Sequence, residues 1–302
     1  MNKQNSLITR YCLAVVVMLA LLGPLAQKGR GDFVLIDNQQ LTVNSSHNQG
    51  TLFDTSRAFI VPGGYVYSLY AYDSGAASIS GGFVRDLYTC NFSDVDISSG
   101  NVNNLYAHDF SDVDISGGYM YSLDARNSST VSISGGNVGG YGDGYLYAYD
   151  SSTVDVSGGY VYGLSAYNFS TVNISGGTIS YLYNASSVSI SGGSVGTLYA
   201  YDSSTVSISG GSITYLYAYD FGMVTFYGQN FHIGDGLSFD GERVLGTGML
   251  SGEWMDGTRW AVNVADNYPT ATILAIPETA TFLLLFFGAV MLRRQHKNGL
   301  IK

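Results

Sequence analysis

The stretch Thr205-Val-Ser-Ile-Ser-Gly-Gly-Ser-Ile-Thr-Tyr-Leu-Tyr-Ala-Tyr-Asp220 is one copy of a unit that recurs about nine times down the chain. Its leucine falls at Leu69, Leu87, Leu105, Leu123, Leu146, Leu164, Leu182, Leu198 and Leu216, in steps of 18 residues apart from one of 23 and one of 16. A fixed period near 20 residues marks a solenoid, in which each repeat is a layer that buries its apolar face only against its neighbours.

Within the unit, Val206 and Ile208 stand two apart and alternate with Thr205, Ser207 and Ser209. Apolar residues at that spacing lie on one face of a strand. Gly210-Gly211 then permits positive φ and marks a corner, although Ser99 replaces the first glycine in one copy. An apolar residue follows (Val195, Ile213), with leucine three positions on, a spacing that breaks alternation and predicts a shallow second bend. Leu216 and Ala218 restart the alternation, and alanine suits a narrow interior. Asp or Asn closes each layer, as at Asp73, Asn91, Asp109, Asn127, Asp150, Asn168, Asp202 and Asp220, and both residues favour turns.

These features predict an all-β fold: a single-stranded parallel β-helix, or β-solenoid, of about 18 residues per coil. Right-handed winding is favoured because the hexapeptide rhythm of left-handed coils is absent; a mirror-hand coil and a flattened two-sheet roll stay open. Nine layers about 4.8 Å apart give a rod roughly 43 Å long.

The organisation follows from where the repeat holds. Residues 1–31 read as a signal peptide, with Lys3 and Arg10 ahead of an apolar run from Cys12 to Leu22 that is short for a bilayer span. Residues 32–60 read as an N-terminal cap and 61–227 as the solenoid repeats. Residues 228–266 read as a C-terminal cap containing a β-hairpin around Asp256-Gly257, which should cover the open strand edges. Residues 267–276 read as a linker, and 277–302 as a sorting segment with a short transmembrane helix.

The C-terminal segment runs from Ile276 through Pro277, Glu278 and an apolar stretch to Arg293 and Arg294. This order of a Pro-Glu motif, an apolar helix and a basic stop resembles the PEP-CTERM sorting signal of Gram-negative bacteria. The resemblance implies handling by an exosortase, a transient inner-membrane anchor, and a final place at the cell surface or in exopolysaccharide. An ordinary membrane anchor has the same layout, and both readings put Arg293 and Arg294 on the cytoplasmic side.

Composition narrows the partners. From Asp32 to Ile276 there are 22 acidic residues and five arginines, Arg57, Arg85, Arg126, Arg243 and Arg259, a net of −17. Such a body repels phosphates and excludes nucleic acid as a partner. Cys90 is the only cysteine after the leader, so stability must come from strand hydrogen bonds and the core rather than disulfides.

Stacking turns columns of the repeat into ladders. One outward column holds Tyr70, Tyr88, Tyr106, Asp124, Tyr147, Ser165, Tyr183, Tyr199 and Tyr217, and a second holds Tyr72, Cys90, His108, Arg126, Tyr149, Tyr167, Tyr201 and Tyr219. Paired tyrosine ladders make an aromatic face suited to sugar rings or to another copy of the chain. The residues expected to carry it are Tyr70, Tyr72, Tyr147, Tyr149, Tyr199, Tyr201, Tyr217 and Tyr219. Cys90, His108 and Arg126 interrupt the second column on what reads as a solvated surface. In the same layers Asp94 should stack beside Asp112 and Asp96 beside Asp114, a like-charge arrangement that weak calcium binding would relieve. No other cofactor is expected.

The resulting expectation is a non-enzymatic structural or adhesive surface protein that contacts glycans or like molecules. The alternative is a polysaccharide lyase or glycoside hydrolase using Asp94, Asp96, Asp112 or Asp114, which rests on fold analogy alone.

Overall fold

The computed structural model of the protein describes residues 31–140 and 144–277. Among them there is no helix, and 24 strands wind into a parallel β-solenoid of about 11 coils. The expected signal peptide, the C-terminal transmembrane helix, and Glu278, Arg293 and Arg294 fall outside the described residues.

The coils stack like on like. Val188 pairs with Val206 and Ile190 with Ile208, while Leu182, Leu198 and Leu216 form one continuous row. These inward columns are almost wholly buried. The row skips Gly196 and Thr214, which places the shallow second bend there.

At the closing corner, the Asp and Asn residues adopt the left-handed conformation, with φ from 53° to 62°, which their short polar side chains tolerate. Asp and Asn alternate in three successive pairs of layers. Asn91 Nδ2 donates to Asp73 Oδ1 at 2.9 Å, Asn127 to Asp109 at 2.8 Å and Asn168 to Asp150 at 3.4 Å. The alternation puts a hydrogen bond where two stacked carboxylates would repel.

Two boundaries differ from those expected. Phe33–Leu35 stacks on Gly50–Leu52, and Gln40–Val43 on Arg57–Ile60, so residues 33–60 are coils rather than a separate cap. The repeat is disguised there because large and small residues exchange places. Gly50 occupies the leucine column and Leu52 the alanine column, and a Cβ on Gly50 would meet the Phe33 ring at 2.2 Å.

At the other end, Thr272–Pro277 pairs in parallel with Met223–Gly228, and Leu216 pairs with Val264. Residues 267–276 are therefore part of a final coil and not a linker. Two antiparallel hairpins interrupt that coil. Leu237–Asp240 pairs with Arg243–Gly246, and Gly248–Glu253 pairs with the strand beginning at Arg259. One strand of each hairpin also runs antiparallel to the last layers, with Val244 opposite Ile273 and Leu250 opposite Ile233, which protects the terminal edges. Trp254 stacks on Trp260 at 4.7 Å and Trp260 on Phe226 at 5.0 Å, closing the end of the core.

Candidate functional site

Tyr183, Tyr199 and Tyr217 alternate with buried leucine and alanine on their strands, so their rings project outward in register. Successive rings lie 4.9 Å apart and within 17° of parallel. Tyr70, Tyr88 and Tyr106 repeat the arrangement at 4.8 Å. That distance equals the spacing of adjacent strands, so backbone pairing sets the stack.

The second column stacks beside the first, with Tyr149 on Tyr167 and Tyr201 on Tyr219, each at 5.1 Å. Tyr147–Tyr149, Tyr199–Tyr201 and Tyr217–Tyr219 join the two columns laterally at 6.0, 6.0 and 6.3 Å. Tyr72 is the exception among the expected residues. It is buried, stacked against Phe53 at 5.4 Å and against Tyr70. Tyr268 extends the second column beyond Tyr219, edge-on at 5.1 Å.

Partial burial, reinforced by neighbouring carboxylates and phenols, pushes the Tyr88 and Tyr183 hydroxyls up to about 12. Tyr106, Tyr149, Tyr199, Tyr201 and Tyr219 shift the same way, with burial first among the causes. These seven phenols are thus protonated at physiological pH, and their hydroxyls both donate and accept hydrogen bonds.

The break in the ladders is filled rather than open. Arg126 makes a bidentate pair with Asp124, Nε to Oδ1 at 2.8 Å and a terminal nitrogen to Oδ2 at 2.5 Å. Its guanidinium lies 5.0 Å from the centre of the Tyr149 ring. Further along, Tyr145 lies where a side chain on Gly163 would stand and contacts the Tyr183 ring edge-on at 6.4 Å. Tyr145 precedes Leu146 and so stands in the column of Ser122 and Gly163, just after the five extra residues that the 23-residue step records, where the Gly140 N–H donates to the Gly144 carbonyl at 3.3 Å.

Cys90 and His108, expected on a solvated surface, are buried instead. Tyr72, the neighbouring member of the column, is buried with them, so the N-terminal end of this column is covered while Tyr167 further along is exposed. Burial lowers the His108 pKa below the usual imidazole value and keeps the ring neutral. A buried column of serines also went unread in the sequence. Ser93, Ser129, Ser152, Ser170 and Ser204 all lie inside, two residues after the Asp or Asn corner. The signal was the constancy of serine at that position.

The register brings together the four expected carboxylates, Asp94 on Asp112 and Asp96 on Asp114. Alternate residues on parallel strands project side by side from one face, so they do not converge on a point. Among the described residues, no group of three or more His, Cys, Asp or Glu is arranged to hold a metal ion. A glycosidase pair must face each other across a bond, and these four share one flat, exposed surface.

Although both side chains are exposed, partial desolvation by their packed neighbours, and then the adjacent carboxylates, raise the pKa of Asp94 and Asp112. A carboxyl raised in the folded state contributes stability below its unfolded pKa, and that contribution is lost as pH rises through the folded value. The stacked pair is therefore unfavourable at pH 7. Asp94→Asn should stabilise the rod there by roughly 0.5 kcal/mol and have no effect well below pH 4. Thermal unfolding at pH 7 and pH 3 measures the difference; equal shifts at both would show that charge is not the cause.

No family model, curated protein or solved structure matches the chain.

Proposed function

We propose that the protein is a non-enzymatic, exported β-solenoid held at a Gram-negative cell surface or in its exopolysaccharide. It contacts glycans, or other copies of itself, through the tyrosine face. The observation that carries this reading is the double column of cofacial tyrosines, which keeps neighbouring rings 4.8–5.1 Å apart. Within each column the ring faces cover one another, so the outward surface is a regular row of ring edges and hydroxyl tips, which would meet the polar rim and C–H edges of pyranose rings. Because the backbone ladder already fixes the rings, little side-chain entropy is lost on contact.

The sorting part of the proposal rests on Pro277, Glu278, Arg293 and Arg294, which would direct an exosortase to the C-terminal segment. The acidic body fits contact with neutral sugars better than with phosphate-rich polymers.

Replacing Tyr199, Tyr201, Tyr217 and Tyr219 by serine removes two layers of the face and leaves the inward columns intact. Serine already stands in the first column at Ser165. The variant should keep its circular dichroism spectrum and lose most of its retention on exopolysaccharide isolated from the producing cells. Full retention by a folded variant would rule out the tyrosine face as the contact.

A further inference from the structure

The first residue of each Thr-Val-Ser-Ile strand forms an outward column on a strand face separate from the tyrosines. From the N-terminal end it reads Gln40, Arg57, Ala76, Asp94, Asp112 and Thr130. Ala76 carries a methyl group where its neighbours carry longer side chains, and it is nearly buried. The column therefore has a notch one layer deep, with Arg57 on one lip and Asp94 on the other. Their Cα atoms stand two layers apart, about 9.6 Å.

The adjoining corner column supplies a wall of Asn38, Thr55, Ser74 and Phe92 around an open groove of about 530 Å³. That lies within the roughly 300–1,000 Å³ of small-molecule sites. The Thr55 hydroxyl donates to Asn38 Oδ1 at 2.6 Å, which fixes part of the wall.

Phe92 is 67% exposed. One face of its ring stacks on Phe110 of the next layer at 5.5 Å, so the other face looks toward the notch above Ser74. At the same corner other layers carry serine, as at Ser74 and Ser128, so the turn itself does not require phenylalanine. Arg57 also acts on Asp94, opposing the upward push on its pKa, which fits two groups facing one notch.

An aromatic platform, a guanidinium, a carboxylate and short hydroxyl and amide groups around one cavity match a ring with an apolar C–H face and neighbouring hydroxyls. Arg57 would donate to hydroxyl oxygens and Asp94 would accept hydroxyl protons. A carboxylated sugar would meet Asp94, Asp112 and the acidic body, so charge selects a neutral one.

We propose that the notch over Ala76 is a subsite for one neutral hexopyranose unit of a polysaccharide, stacked on Phe92 and held between Arg57 and Asp94. The proposal deepens the glycan-contact reading above and places a second, more selective contact away from the tyrosine face.

The test uses isothermal titration with cellohexaose, laminarihexaose, maltohexaose and mannohexaose, and with hexagalacturonate as the anionic comparison. Two variants borrow residues the chain already uses at the same positions: Ala76→Thr, as at Thr130, and Phe92→Ser, as at Ser74. At least one neutral hexasaccharide should bind, and each variant should weaken it by about tenfold or more with an unchanged circular dichroism spectrum. The serine variant of Tyr199, Tyr201, Tyr217 and Tyr219 should bind the same hexasaccharide as the parent does. The proposal is overturned if no neutral hexasaccharide binds, if only hexagalacturonate binds, or if binding survives Phe92→Ser. Should Ala76→Thr fail to fold, Phe92→Ser decides alone. Exopolysaccharide retention separates the two readings. Its loss only in the tyrosine variant leaves the face standing without the notch, and its loss only in Ala76→Thr and Phe92→Ser does the reverse.

Discussion

Replacing Gly177 by alanine should destabilise the rod by about 3 kcal/mol and split its unfolding into two steps. The residue has φ of +74°, and an added Cβ would stand 2.6 Å from the Gly158 carbonyl oxygen in the layer beneath. The left-handed conformation alone costs an L-residue about 1–2 kcal/mol, and the contact adds an overpacking penalty of similar size. The obstacle is backbone, which cannot swing aside as a side chain would.

Glycine occupies this second corner position in every coil from Gly82 to Gly211, with φ between 71° and 85°. The first position is more permissive, since Ser99 occupies it where the strand Asp94–Ala107 runs unbroken through the corner. In a solenoid each layer is coupled mainly to the next, so a defect midway loosens the two halves from each other. Urea unfolding followed by far-ultraviolet circular dichroism should show a lower first midpoint and a separate second transition. An unchanged single transition would mean that the corner can relax without the positive φ.

The inward columns were legible because each residue performs the same task in every layer. Val206, Ile208, Leu216 and Ala218 share one burial pattern with their counterparts, so a period of 18 is visible without any structure. Legibility failed where two positions compensate each other. Gly50 and Leu52 exchange the roles of the leucine and alanine columns, and Phe33 fills the space Gly50 leaves, so core volume is kept while the residue pattern is lost. It failed again at Thr272–Pro277, because two hairpins separate that strand from its partner Met223–Gly228 and backbone pairing does not record the length of an excursion. The tyrosine face could be read as columns. The burial of Tyr72, Cys90 and His108 could not, since it holds only at the N-terminal end of a column whose later member Tyr167 is exposed, so position in the repeat does not record it. The notch at Ala76 was hidden for a related reason: its meaning lies in the contrast with Arg57 and Asp94, two layers apart and far from adjacent in the chain.

Above pH 10 the tyrosine ladders should turn from a source of stability into the cause of unfolding. Tyr88 and Tyr183 ionise in the folded rod at about 12, whereas an unfolded tyrosine ionises near 10. A group raised in the folded state contributes stability that is full below its unfolded pKa and is lost as pH rises through its folded value. The window therefore opens near pH 10, where the unfolded chain begins to release phenolic protons that the folded ladder retains, and it closes near pH 12. Tyr106, Tyr149, Tyr199, Tyr201 and Tyr219 are shifted in the same direction and add to the loss. Each pKa unit corresponds to about 1.4 kcal/mol. After discounting for solvent screening of these half-buried groups, Tyr88 and Tyr183 together leave roughly 3 kcal/mol across the window. The melting temperature should be flat from pH 8 to 9.5 and then fall steeply. Phenolate absorbance at 295 nm should rise together with the loss of circular dichroism and not ahead of it. Tyr183→Ser should lower stability at pH 8, where the ring contacts are lost, yet reduce the further drop between pH 10 and 12, because the group that retains its proton is gone. Phenols that titrate near 10 in a rod that stays folded would show that stacking at 4.8–4.9 Å neither shields the hydroxyls nor couples them to the fold.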